Sequence, residues 1–274
     1  MSMAYKRGKA RKPNNVSRES DCLIVLMKPG NASGGKECNK LLPLIMKHLL
    51  HTEVGEQMET QLAKIAQVAK ENLNERFTSL IHLINESSLT QCHYEMKANK
   101  ASGVDKVTKE DYQENLDSNI KELIAKMKRQ AYKPQPVRRV YISKEGSDKL
   151  RPLGIPSYED KIVQKAVSKI LNAIYEQDFL ECSFGFRPKR GCHDALKTIS
   201  SIIESRPVHY IVDVDIRGFY DHLNHTWLMK FLKHRIVDEN LLRLIGRFLK
   251  SGVIENQEYH PTIEGAPQGG LCKA

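Results

Sequence analysis

Residues 208–221 read Val-His-Tyr-Ile-Val-Asp-Val-Asp-Ile-Arg-Gly-Phe-Tyr-Asp. Ile211, Val212, Val214 and Ile216 are β-branched and Pro207 punctuates the run, which predicts a strand. Successive strand side chains take opposite faces, so Asp213 and Asp215 share one face, roughly 6.5–7 Å apart. A carboxylate inside an apolar strand is costly unless something pairs with it. A divalent cation would do so. A partly exposed strand end and one ion pair would serve equally well. Gly218-Phe219-Tyr220 then closes the strand with a flexible residue and two aromatics, a poor solvent loop but a good floor for a ligand. Downstream, Gly265-Ala266-Pro267-Gln268-Gly269-Gly270 is a loop whose backbone can approach a ligand closely.

The chain has 274 residues, enough for one large domain or two small ones with a real core. No apolar run approaches the ~20 residues of a membrane span. The run Cys22 to Met27 is shorter than a secretory core of ~7–15 residues. A cytoplasmic protein without a membrane partner is expected. The net charge of +10 points to a polyanion. Residues 1–18 carry six Lys/Arg and no acid, and residues 126–151 carry nine against two acids. A basic surface kept for solubility would look similar. The six cysteines include no Cys-x-x-Cys pair, so free thiols are expected rather than a structural zinc.

Residues 1–55 are basic, weakly periodic and broken by Pro29-Gly30 and Gly34-Gly35, and they read as poorly ordered, with a short helix open to 41–54. From Glu56 the pattern turns helical. Leu62, Ile65, Ala66 and Ala69 form one stripe, and Phe77, Leu80, Ile81 and Ile84 repeat it. Further helices are expected over Leu89–Lys100 and through Ile120, Leu123, Ile124 and Met127. Arg138–Ser143 and Lys149–Ile155 read as a basic β-hairpin. It is either an ordinary solvated hairpin or a phosphate clamp with Lys144 and Arg151. Ser157 should cap a long helix with Ile162, Val163, Ala166, Val167, Ile170, Leu171, Ile174 and Tyr175 buried. In Ser183-Phe-Gly-Phe-Arg-Pro-Lys-Arg-Gly191, Phe184 and Phe186 could stack on bases while Arg187, Lys189 and Arg190 hold phosphates. Equally, the aromatics could plug the core. Helices at His193–Glu204, Trp227–Ile236 and Glu239–Leu249 follow, then a hairpin within Ser251–Thr262.

Arg151-Pro-Leu-Gly-Ile-Pro156, Ser183-Phe-Gly-Phe-Arg-Pro188 with His193, Asp215-Ile-Arg-Gly-Phe-Tyr-Asp221 and Pro267-Gln-Gly-Gly270 together resemble the blocks of reverse transcriptases encoded by group II introns. The similarity covers about residues 58–270. It implies an α+β right-hand polymerase fold, with helix-rich fingers, a basic hairpin and a small antiparallel palm sheet. The corresponding divisions are a helical extension at 56–105, fingers at 106–207 and a partial palm at 208–274. The family copies RNA into DNA and, as maturases, helps a mobile intron RNA fold and splice. By that resemblance Asp215 is the catalytic carboxylate and holds Mg²⁺ with the Ile216 carbonyl. Two metals would activate the primer hydroxyl and stabilise pyrophosphate. Lys144, Arg151, Phe219, Tyr220 and Gln268 would bind the dNTP, and Arg138, Arg139, Arg187, Lys189 and Arg190 would bind RNA. Asp213 is then structural.

The family's next palm block, an aromatic residue, any residue and two aspartates, does not follow. The expectation is therefore a fold truncated before the second catalytic Asp pair, which binds group II intron RNA and does not polymerise by itself. Its partners would be intron RNA, an RNA template with a DNA primer, and dNTP, with a homodimer left open. A related bacterial reverse transcriptase without an intron, or a pure RNA-binding splicing cofactor, would carry the same blocks. A metal nuclease built on Asp213 and Asp215 would need a base and further ligands.

Overall fold

The chain clusters into two units, Met1–Leu44 and Ile45–Ala274. The computed structural model describes residues 58–144 and 147–266, with backbone only for 144 and 147–149. These all lie in the second unit. The expected short helix at 41–54 falls outside the described residues.

The centre of the core is α5 (Tyr158–Tyr175). Its apolar residues recur so densely that Ile162, Val163, Ala166, Val167, Ile170 and Ile174 are all buried. Ser157 caps it, accepting from the Asp160 amide, as the sequence predicts. Around it pack α1 (58–71), α2 (Glu86–Glu95), α3 (Lys109–Glu114) and α4 (Leu116–Lys128). Asn85 and Thr108 start α2 and α3 with reciprocal capping boxes, which satisfy amides that a helix start leaves unpaired. On α4 the buried stripe is Leu116, Ile120, Leu123 and Ile124. Two further helices, α7 (His225–Arg235) and α8 (Glu239–Leu249), complete this body, with Leu232, Leu241, Leu242, Leu244 and Ile245 in the same core. Between α5 and α7 lies α6 (Cys192–Ser205), which buries none of its residues. No helix among the described residues is long and apolar enough to cross a membrane.

The hairpin of β1 (Val137–Lys144) and β2 (Ser147–Ile155) forms as expected. So does the second hairpin, β3 (Val253–Glu255) and β4 (Glu258–His260). Its two-residue turn places Asn256 and Gln257 at φ 49° and 71°, the left-handed pair that a tight hairpin requires. The strands join in one sheet of order β2-β1-β3-β4, in which β1 and β3 run parallel. The fold is therefore α+β with a mixed sheet, and the small antiparallel palm sheet expected from the sequence is not what the described residues build.

Two elements differ from the sequence reading. The stripe Phe77, Leu80, Ile81, Ile84 is not a long helix. Only Ile81–Leu83 turns, as a single 3₁₀ turn, and Phe77 instead pairs with Ile236 as a parallel bridge. Residues 208–216 form no strand. Ile211 and Val214 are 78% and 82% exposed. A strand pattern states which side chains share a face, but no neighbouring strand among the described residues accepts its hydrogen bonds, and pairing is what makes a strand.

His93 on α2 is fully buried. Its Nδ1 lies 2.9 Å from the Tyr158 hydroxyl, and its ring meets that of Tyr158 edge-on. Burial, with the Lys109 charge nearby, pushes the imidazole down to about 4. The unfolded chain binds that proton near 6.5, so the neutral ring stabilises the fold above 6.5 and the contribution drains away as pH falls towards 4. Urea titrations should show up to about 3 kcal/mol lost across that window, and His93→Gln should flatten this part of the curve.

Candidate functional site

A cleft of about 670 Å³ opens where the two hairpins meet the Tyr220 turn. Gly218, at φ 62°, lets the chain reverse, and its carbonyl accepts from the amides of Asp221 and His222 at 3.0 and 3.1 Å. The turn presents Phe219 and Tyr220 edge-to-face, 5.5 Å between ring centres. Against it lies the start of the glycine-rich loop. Gly265 donates to the Leu223 carbonyl and Ala266 to that of Tyr220, both at 2.8 Å. His225 Nε2 meets the Gly265 carbonyl at 2.6 Å. A Cβ on Gly265 would stand 2.7 Å from the Asp221 carbonyl oxygen, and its φ is +83°. Only glycine gives both that approach and that backbone.

The opposite wall is β1 and β2. Cross-strand pairs share a face, and the register pairs Arg139 with Gly154, Tyr141 with Pro152 and Ile142 with Arg151. Arg139, Pro152 and Gly154 line the cleft, so the alternation turns Arg151 to the other face of the hairpin. The structure does not bring Arg151 to Tyr220. The Lys144 side chain and Gln268 lie outside the described residues. Glu255 on β3, not singled out from the sequence, accepts from Tyr141 Oη at 2.5 Å and from Arg139 Nη1 at 3.2 Å. Those two donors hold its carboxyl below the usual range. No motif marks Glu255; only the β1–β3 pairing reveals it.

The basic candidates divide by what they touch. Arg138 donates twice to the Ser102 carbonyl, at 3.1 and 2.6 Å, clamping the Ala101–Asp105 turn to β1. Gly103 in that turn has no room for a Cβ, which would meet the Ser157 backbone at 2.6 Å. Arg187 is buried, bound to Glu176 and to the carbonyls of Leu180 and Ser183. Its work is to fold the 176–187 loop. Arg190 reaches Glu181 and lies over Phe184, 5.6 Å from the ring centre. Lys189 is exposed. Phe186 is 72% exposed and so plugs no core.

Asp213 and Asp215 lie on the exposed 208–216 segment, none of which lines the cleft. Reverse transcriptase domains generally use Mg²⁺, which needs near-octahedral oxygen ligation, commonly one or two carboxylates with substrate phosphates. Asp215 and the Ile216 carbonyl would be its protein ligands here. Among the described residues no three His, Cys, Asp or Glu side chains converge to hold a metal ion, and no neighbouring strand orients the backbone under Asp215. The described residues therefore do not fit a two-metal centre.

Residues 142–272 match the family described as reverse transcriptase (RNA-dependent DNA polymerase), a span that holds the Tyr220 turn, β2 and the Gly265 loop. Among curated proteins, the group II intron-encoded protein LtrA of Lactococcus lactis subsp. cremoris is 39% identical over 211 residues. The chain belongs to the group II intron reverse transcriptase/maturase family. The LtrA alignment takes in 77% of this chain and 35% of the relative. Protein YkfC of Escherichia coli (strain K12) is 33% identical over 216 residues, 76% of this chain and 56% of the relative. An uncharacterized 91 kDa protein in the cob intron of Schizosaccharomyces pombe is 35% identical over 152 residues, 56% of this chain and 18% of the relative. The chain thus spans about a third of the length of LtrA and just over half that of YkfC.

Gly265→Ala should push the loop off the Tyr220 turn. The expected result is a loss of about 1–3 kcal/mol and faster hydrogen exchange at the Gly265 and Ala266 amides. Unchanged protection at both amides would contradict the described junction.

Proposed function

We propose that this chain is the fingers and partial palm of an RNA-directed DNA polymerase and intron maturase, and that its own activity is to bind group II intron RNA. In this reading 56–105 is the helical extension, 106–207 the fingers and 208–274 the partial palm. The observation that carries it is the junction of the Tyr220 turn with the Gly265 loop under a hairpin wall bearing Arg139. Tyr220 offers its ring to sugar or base, and the Arg139 guanidinium, which gives one N–H to Glu255 at 3.2 Å, offers its other donors to a phosphate. Phe219, Tyr220, Gln268 and Lys144 are proposed to contact the dNTP, with Arg151 joining only if the hairpin turns its other face. RNA contacts are proposed for Arg139, Lys189 and Arg190, whereas Arg138 and Arg187 act by holding their loops in place. Template, primer and a second copy of the chain are further proposed partners.

One observation favours binding over chemistry for the 274-residue chain. Asp215, the proposed catalytic and Mg²⁺-holding carboxylate, stands on exposed, unpaired backbone. Orienting such a group entails fixing several residues, at about 1–2 kcal/mol each. The chain should therefore bind RNA yet leave a primer unextended, and Asp215→Asn should leave RNA affinity unchanged. Primer extension at an ordinary polymerase rate would refute this.

RNA affinity should fall steeply with salt, and reversing Lys189 and Arg190 to Glu should flatten the slope of log affinity against log salt by about 0.7 per lost phosphate contact. Salt-insensitive binding in fluorescence titrations would contradict the phosphate contacts.

A further inference from the structure

A second groove, of about 850 Å³, runs between α7, α8 and the 133–134 segment. It shares no lining residue with the cleft at Tyr220. Six cationic side chains line it: Arg76, Lys133, Lys233, Arg243, Arg247 and Lys250. Glu239 is the one carboxylate among them. Three of the arginines build the walls. Arg243 donates to the Gln130 side chain at 2.5 Å, and Arg247 to the carbonyls of Tyr132 and Gln130 at 2.7 and 2.9 Å. Arg76 reaches the Lys233 carbonyl. Lys133, Lys233 and Lys250 are exposed, and none of their side-chain amines takes part in the hydrogen bonds or ion pairs seen among the described residues. The floor between them is apolar, with Pro134, Met229, Val237 and Leu242.

Part of this charge has an ordinary explanation. Lys233 lies in the last turn of α7 and Lys250 caps α8, where cations complement the helix dipole. The dipole does not account for Lys133, which lies outside any helix, nor for the near absence of acids. We propose that this groove is a separate RNA contact, in which the free lysines hold successive phosphates of one strand and the apolar floor takes the sugar and base faces between them. Lysine suits this task, being a mobile point charge that follows a flexible backbone without fixed fork geometry. An acidic protein segment would also meet the lysines. It would leave the floor facing carboxylate side chains, whereas a nucleic acid strand brings apolar ring faces to it. The inference does not depend on the reading of the Tyr220 cleft.

The test titrates the full 274-residue chain with a uridine oligomer longer than the roughly 4–16 nucleotides of a single-strand site. Changing Lys133, Lys233 and Lys250 together to Gln should cost about tenfold or more at low salt and flatten the salt slope by about two. The triple Arg variant keeps the charge and should bind like the parent. A control triple, Lys64, Lys70 and Lys121 to Gln, removes the same charge from exposed positions off the groove and should cost less than about threefold. Lys133→Gln alone touches no helix and should still lower the slope by about 0.7. Equal losses in the two triples, or none in the groove triple, overturn the proposal. So does retained oligomer binding with lost binding of poly-glutamate, which would assign the groove to an acidic protein. If Lys189→Glu with Arg190→Glu weakens RNA binding while the groove triple does not, this inference fails and the reading of the fingers stands.

Discussion

Four consecutive residues, Arg235 to Asp238, join the amino-terminal helices to the carboxy-terminal ones. Arg235 is almost wholly buried, and its guanidinium donates to the carbonyls of Ala69, Asn72 and Leu73 at and beyond the end of α1. Helix ends leave carbonyls unpaired, and a buried guanidinium left alone would cost several kcal/mol. Each meets part of the other's deficit, the Arg235 Nε staying buried without a hydrogen bond among the described residues. Asp178 adds a carboxylate 3.6 Å away. Phe77 then donates to the Arg235 carbonyl and accepts from the Val237 amide, both at 2.8 Å, as the bridge partner of Ile236. Asp238 finishes the seam: one carboxylate oxygen accepts from the amides of Leu80 and Ile81, the other from Asn240 and Leu241. Burial alone would raise the pKa of that carboxyl, yet the four amide donors hold it below the usual range. One side chain thus caps α8 and fixes a segment more than 150 residues earlier in the chain.

That seam explains why Phe77, Leu80 and Ile84 are packed against the core without a helix to carry them. The amides of Phe77 and Leu80 are satisfied by the Arg235 carbonyl and by Asp238, while that of Ile84 closes the short turn onto the Ile81 carbonyl. Helical spacing in a sequence reports which residues point inward together, and a 3₁₀ turn with a bridge achieves that as well. Where no such long-range partner intervenes, the periodicity decides. The bounds of α8 and the cap of α5 follow from the sequence as written, and so do the two hairpins.

The candidate site is legible to a different degree. Its aromatic turn and its glycine loop are recognisable as motifs, and their meeting at Gly265 is what such residue types permit. Which arginines face solvent is not legible. Arg187 and Lys189 are two residues apart in a basic stretch, yet one is buried among carbonyls and the other exposed. Carbonyl partners belong to whichever loop happens to fold beside a side chain, and no residue type announces them. The face of Arg151 is set by hairpin register, since a shift of one residue would reverse it. Glu255 and Asp238 escape notice for the same reason: their partners are distant in sequence.

These contrasts bear on how binding and chemistry are divided in this chain. The surfaces proposed to meet a polyanion are held in place, because arginines at 138, 243 and 247 are spent on neighbouring backbone and side-chain oxygens. They fix the walls and leave lysines to make the contact, so little ordering cost remains when a strand arrives. Asp215 is in the opposite condition. Its β-branched neighbours are stiff at χ1 but face water on both sides of an unpaired backbone. A carboxylate so placed is well hydrated and loses little by staying there, whereas metal catalysis demands a position held to a fraction of an ångström. In the proposed division, what separates binding from chemistry is backbone pairing under residues 208–216, since hydrogen bonds to that segment would fix a backbone that is now unpaired beneath Asp215.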